Sequence, residues 1–169
     1  ASAITPRTRL LMVCHMVNIT GQVLPVKQIA AMAHARGVAV MVDGAHAFAQ
    51  LDFRIPDLGV DYYGASLHKW LATPLGAGIL YVKRDKIPGL WPIYGDSGPP
   101  DDDIRKLNHT GTHPVHTDPA INAAIAGRTR AATLRTVSPP TSTRFSSVRA
   151  ALIMPLAVET LAVKSRGDG

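Results

Sequence analysis

Short all-apolar runs and one strongly amphipathic stretch set the framework of this chain. Arg9-Leu-Leu-Met-Val-Cys14 is a run bounded by polar residues, which predicts a strand buried on both faces of a parallel sheet. From Pro25 to Gly37 the pattern changes period: Val26, Ile29, Ala30 and Ala33 fall at i, i+3, i+4 and i+7. Proline at the first helical position and glycine just past the end mark the limits of a helix. A second apolar run, Val38 to Val42, follows at once and stops at Asp43-Gly44. Strand, helix, strand with so short a connection implies a parallel pair.

Two further strands are expected, at Val60 to Ser66 and at Ala77 to Val82, separated by the flexible turn Pro74-Leu-Gly-Ala-Gly78. Ile87 to Asp103 holds four prolines, three glycines and three consecutive aspartates, so it is expected to form a long surface loop. Asp118 to Ile125 looks like the opening of a helix with Pro119 in its first turn, after which the helical pattern dissolves. The order of elements is that of an α/β fold.

With 169 residues and 46% hydrophobic content, the chain suffices for one domain with a sizeable core. Its net charge of +6 raises the question of polyanionic partners. The distribution answers it: residues 1–125 are nearly balanced at +1, whereas residues 126–169 carry +5. That tail has a single aromatic, Phe145, and a Thr/Ser/Pro/Arg-rich stretch from Thr133 to Ser147 without periodicity, so it is expected to be poorly ordered. Nucleic-acid binding by Arg128 to Arg149 is not expected, because aromatic interleaving and recognition motifs are missing. No run approaches the roughly 18–20 apolar residues of a membrane span, and a cytoplasmic location without membrane contact is expected. Cys14 is the single cysteine, which excludes an intramolecular disulfide; inside its apolar run it is expected to be a buried thiol.

Candidate chemistry gathers at the predicted strand ends, where open parallel sheets bind ligands. Asp43 is suited to hold a cationic group such as a protonated heterocyclic nitrogen, or else to cap the turn before Gly44. Lys69, in Ser66-Leu-His-Lys69, would be a nucleophilic amine if shielded from water, or else a solvated cation. His68 alone would more simply be a hydrogen-bonded structural residue. His109, His113 and His116 lie in a Gly/Pro-containing segment without a cysteine pair or glutamate to complete a zinc site, so no metal is expected.

Taken together and in order, the motifs His15-Met-Val-Asn-Ile-Thr-Gly21, Leu24-Pro25, Val42-Asp-Gly-Ala-His-Ala47, Gly59-Val-Asp-Tyr62, Ser66-Leu-His-Lys69 and Gly76-Ala-Gly-Ile-Leu-Tyr81 form a more specific pattern. This pattern resembles the class V aminotransferase-like enzymes that depend on pyridoxal 5'-phosphate (PLP), among them cysteine desulfurases and isopenicillin N epimerase-like proteins. The resemblance spans about residues 9–125, with a weaker match at Gly111-Thr112. It implies part of the large domain of PLP fold type I, a mostly parallel sheet flanked by helices. It also implies that Lys69 holds the cofactor as a Schiff base and that Asp43 pairs with the pyridinium nitrogen.

By the same resemblance, Asn18 would bond the phenolic oxygen, and His46 would contact the same region at a position often occupied by glutamine. Ser66 and His68 would contribute to phosphate binding. Thr112 would reach the phosphate of the partner subunit's cofactor, which makes the expected active unit a homodimer acting on an amino-acid substrate. The Asp43-Gly-Ala-His46 and His109-Thr-Gly-Thr-His113 motifs look most like the isopenicillin N epimerase-like branch, which shades into carbon–sulfur lyases. Family members are longer at both ends, so residues 1–125 are expected to be a partial cofactor domain. Residues 126–169 are expected to be a divergent basic tail, introduced by a frameshift or gene truncation.

Overall fold

The computed structural model describes residues 3–92, 98–108, 115–135 and 151–155. Strands β1 (Leu10–Cys14), β2 (Ala39–Asp43), β3 (Tyr62–Ser66), β4 (Ala77–Val82) and β5 (Ala151–Pro155) form one sheet in the order β1-β2-β3-β4-β5. β1, β2 and β3 pair in parallel; β4 is antiparallel to both β3 and β5, so four of the five strands run the same way. The α/β architecture with a mostly parallel sheet matches the sequence expectation.

Helix α1 (Val26–His34) makes the crossover between β1 and β2, and its Val26, Ala30 and Ala33 are buried at i, i+4 and i+7. The helix stops because Gly37 takes a left-handed φ of 69°, which lets the Val38 amide turn back to the Ala33 carbonyl at 3.1 Å. Alternate residues of β2 then face opposite sides. Val40 and Val42 enter the main core with α1, Tyr63, Ala65 and Ile121 of helix α2 (Thr117–Arg135), whereas Ala39 and Met41 pack with Tyr62, Val82, Ile87, Leu90 and Leu107 on the other side. Fully burying each of those valines contributes about 1.5–3 kcal/mol.

The smaller core is closed by short 3-10 turns at Arg84–Gly89 and Ile104–Leu107, the first of which enters the Pro/Gly-rich stretch expected to be irregular throughout. Behind β2, the buried carboxylate of Asp61 accepts from the Val40 amide at 2.8 Å and meets His34 Nε2 at 2.7 Å, which ties the end of α1 to the start of β3.

Three features differ from the sequence expectations. β1 is not buried on both faces: Leu11 and Val13 pack partly against the main core, but Met12 is 61% exposed and Cys14 is exposed. The physical reason is position, since β1 is an edge strand with a single neighbour and, among the described residues, no cover over its second face. Cys14 is therefore not the buried thiol expected. Helix α2 does not end near Ile125 but continues to Arg135, and β5 lies in the segment expected to lack regular structure. The proposed boundary at residue 125 thus falls inside a helix. Of the Thr133 to Ser147 stretch, residues 136–147 lie outside the described residues.

Candidate active site

Because β2 and β3 are parallel neighbours with Asp43 opposite Gly64, the loops that follow them leave the sheet at one edge. The first loop begins at Gly44, and the space there explains the glycine. A Cβ on this residue would lie 2.0–2.1 Å from ring atoms of Tyr63, which is itself fully buried. The Tyr63 hydroxyl in turn lies 3.2 Å from His15 Nδ1, and Phe53 packs edge-on against His15 at 4.7 Å between ring centroids. Burial, reinforced by the Asp43 charge, pushes the Tyr63 phenol far up, and burial pushes the His15 imidazole down. Both shifts favour a hydroxyl donating to a neutral ring. This buried pair fixes the floor beneath the strand ends.

Asp43 is half-buried at the last position of β2, and its Oδ1 accepts from the Ala45 amide at 2.9 Å. That is the turn-capping contact anticipated as one of its two roles; Oδ2 makes no hydrogen bond among the described residues. Three residues on, His46 reaches across to the second loop, where its Nε2 lies 3.0 Å from Lys69 Nζ. Its Nδ1 accepts from the Trp70 indole at 3.4 Å. Indole N–H can only donate, so Trp70 takes Nδ1 as acceptor, and the Nε2–Nζ contact is then a hydrogen bond with Lys69 as a neutral amine accepting from Nε2–H. His46, Lys69 and Trp70 line an open pocket of about 240 Å³.

Ser66 closes β3 opposite Gly78 of β4 and is half-buried. His68 is also half-buried, and its Nδ1 is enclosed by protein without a hydrogen-bond partner among the described residues. Asn18 is exposed in the turn that follows β1, at the same edge of the sheet, and makes no hydrogen bond to Asp43, His46 or Lys69. Thr112 lies outside the described residues, as do His109 and His113. His116 is exposed at the start of α2, and no group of metal-ligating side chains forms among the described residues.

The structure thus brings His46 into contact with Lys69 and sets Asp43, Ser66 and His68 on the same two strand–loop junctions. It adds Trp70, Tyr63 and His15, which sequence reasoning did not single out as site residues. Trp70 was detectable as the neighbour of Lys69, whereas the His15–Tyr63 bond joins positions 48 residues apart and leaves no local signal.

The family model for aminotransferase class V matches residues 1–116. The chain belongs to the class V aminotransferase family. Members of this family depend on PLP, and the relatives divide between two chemistries. Isopenicillin N epimerase of Streptomyces clavuligerus is 41% identical over 91 residues, covering 54% of this chain and 23% of the relative. A probable cysteine desulfurase of Halalkalibacterium halodurans is 34% identical over 90 residues, covering 53% of this chain and 22% of the relative. Among solved structures, the cysteine desulfurase CsdA from Escherichia coli superposes with a TM-score of 0.61 at 27% identity, covering 76% of this chain and 34% of that one. The chain therefore spans less than a quarter of the length of these two curated relatives. No helix among the described residues is long and apolar enough to cross a membrane.

Proposed function

We propose that this chain forms part of the cofactor domain of a PLP enzyme acting on an amino acid, with Lys69 as the residue that carries the cofactor. The observation behind this reading is the 3.0 Å approach of Lys69 Nζ to His46 Nε2 in an open pocket, at the edge where Asp43 and Ser66 end adjacent strands.

The residues present fit PLP. The enclosed, unpartnered His68 Nδ1 is a polar atom that a phosphate oxygen would satisfy, with the Ser66 hydroxyl on the same strand end. Asp43 would offer Oδ2 to the pyridinium nitrogen, while Asn18 and His46 would serve the phenolic oxygen. Thr112 would act across a homodimer interface on the partner's phosphate. When bound, the cofactor supplies an electron sink for charge developing at the amino acid's α-carbon. Lys69 supplies the amine that removes and returns the proton at that carbon, and His46 lies within hydrogen-bond reach to exchange a proton with Nζ. Trp70 borders the pair but is 46% exposed, and Lys69 is exposed to solvent.

Between the two chemistries of the relatives, we favour the isopenicillin N epimerase-like branch, supported by the Asp43-Gly-Ala-His46 motif. A desulfurase reading gains from the exposure of Cys14, which stands opposite Asp43 in the β1–β2 register. Its backbone is held in the strand ladder, however, and the mobile cysteine needed for sulfur transfer is not supplied by that position.

The test is to mix the purified chain with PLP, record the visible spectrum, reduce with borohydride and map the modified peptide by mass spectrometry. An adduct concentrated on Lys69 and lost in Lys69→Ala is expected. Labelling spread over surface lysines, or none, would make the chain a catalytically inactive remnant of the family.

A further inference from the structure

We infer that Arg128 of helix α2 is a positioning residue that holds the His46 loop and the Lys69 loop at their working separation. The inference rests on the site reading above and adds a component that lies beyond the family-like segment. Arg128 Nη1 donates to the Trp70 carbonyl at 2.8 Å, and Nη2 donates to the Ala49 carbonyl. One acceptor belongs to the loop of His46, the other to the residue after Lys69. The two loops also meet through His46, Lys69 and Trp70 in an open pocket, and Ala49, Leu67 and Leu71 share the main core, but none of these contacts fixes the two backbones by a directional bond.

The chemistry of arginine suits this task. Its guanidinium is a rigid plane with donors diverging from one carbon, so two carbonyls bound to it are fixed relative to each other as well as to the helix. The loops need such a constraint, because each contains a non-glycine residue in the left-handed region, Ala49 at φ 62° and Ala72 at φ 59°. That conformation costs an L-residue energy and persists only where the surroundings hold it. Arg128 makes no ion pair among the described residues, so its charge is directed at the carbonyl dipoles.

The helix is phased to deliver it. Ile121 is buried in the main core, Ala124 and Ile125 pack partly against the same cluster, and Arg128 follows seven residues after Ile121 on that face. Docking of the apolar residues therefore aims the guanidinium at the two loops.

The test compares the full chain with Arg128→Ala and Arg128→Lys by amide hydrogen exchange, read in peptides covering residues 45–51, 67–73, 26–34 and 119–126. PLP–borohydride labelling of Lys69 is measured in parallel. In Arg128→Ala both loops are expected to exchange on the order of tenfold faster, the loss of charge-assisted bonds to two carbonyls. Residues 26–34 and 119–126 should keep their protection, and the Lys69 adduct should fall severalfold. Arg128→Lys, with one nitrogen in place of the fork, should restore part of each.

Unchanged exchange, or a change in only one loop, overturns the inference, as does faster exchange at 119–126 in both variants, which would make Arg128 a determinant of helix docking. Loops that loosen while Lys69 labelling in the variant equals that of a labelled parent also overturn it. If Lys69 is unlabelled in the parent while both loops respond to Arg128→Ala, the brace stands and the cofactor reading fails. The converse, a labelled parent with indifferent loops, refutes the brace alone.

Discussion

Replacing Gly44 by alanine tests the packing that fixes the strand ends. The added Cβ would meet Tyr63 at 2.0 Å, against an ordinary contact distance of at least 3.4 Å, so ring and backbone must separate by about 1.4 Å. Tyr63 has little room to give. It is fully buried, tilted against Phe53 at 5.7 Å between centroids and bonded to His15. Overpacking of this kind costs roughly 1–3 kcal/mol, and a hydroxyl forced off His15 leaves two buried polar groups unsatisfied at a further cost of about 1–3 kcal/mol. A total near 3 kcal/mol lowers the urea midpoint by on the order of 1–3 M for a chain of this size. The alternative, a shift of the Gly44 backbone, would break its 2.8 Å bond to the Gly64 carbonyl and move the loop that carries His46. The assay is urea unfolding of the parent, Gly44→Ala, Tyr63→Leu and the double variant. Relief of the clash predicts that the double variant is more stable than the sum of the single losses allows. A midpoint for Gly44→Ala within 0.3 M of the parent (roughly the resolution of such a comparison), or strict additivity, would refute the packing argument.

Acid should weaken the fold in two separate ranges. Burial lowers the His15 pKa, so the unfolded chain takes up a proton first, and stability falls as pH drops below about 6.5, the ordinary imidazole value. His15→Gln should remove that step, and urea midpoints that stay flat from pH 7 to 5 in the parent would contradict it. For Asp61, burial alone would raise the pKa, but the His34 hydrogen bond, the Val40 amide and the Lys86 charge outweigh it and hold the carboxyl below 3.8. Its contribution is therefore present above that value and lost as pH falls through the lower folded value, and Asp61→Asn should abolish this second step. Lys106 is 2% exposed and bonded through Nζ to the Asp101 carboxylate at 2.7 Å, but Asp101 itself is 68% exposed. Because that carboxylate returns to water on its own, Lys106→Met should shift stability by less than about 1 kcal/mol. A loss above about 3 kcal/mol in urea unfolding would show that the pair is worth more than its packing.

Much of this fold is legible in the sequence because it is built locally. The Pro25 to Gly37 pattern predicts α1 through periodicity and a glycine stop, and the strand after it ends at Asp43, where the turn begins. The misread burial of β1 has an equally plain cause: Leu-Leu-Met-Val contains no alternation, so the run is the same whether one face is covered or two. Only the sheet order, which the run does not encode, places it at an edge. Helix α2 was missed beyond Ile125 because Ala-Gly-Arg-Thr-Arg offers no apolar stripe; its one core-directed signal is an arginine in phase with Ile121. The Lys69–His46 contact was not anticipated, since the two residues are 23 apart and meet only because β2 and β3 are neighbours.

That adjacency gathers most of the proposed site residues within a short segment. Asp43 ends β2 and His46 follows it, Ser66 ends β3 and His68 and Lys69 follow it, and the two strands share a direct ladder in which Asp43 faces Gly64. The positions of these groups therefore depend on one crossover helix, one parallel pairing and the Tyr63 floor, all within residues 10–69. On the proposed reading, Lys69 handles the proton at the α-carbon and His46 exchanges a proton with its Nζ, and neither role selects between the chemistries named among the relatives. Reaction choice must then come from groups outside this pairing, and substitutions within residues 43–69 should change how much cofactor is held before they change which bond is broken. The brace at Arg128 fits that division: it touches backbone carbonyls alone and governs the spacing of the loops, whatever substrate the completed pocket admits.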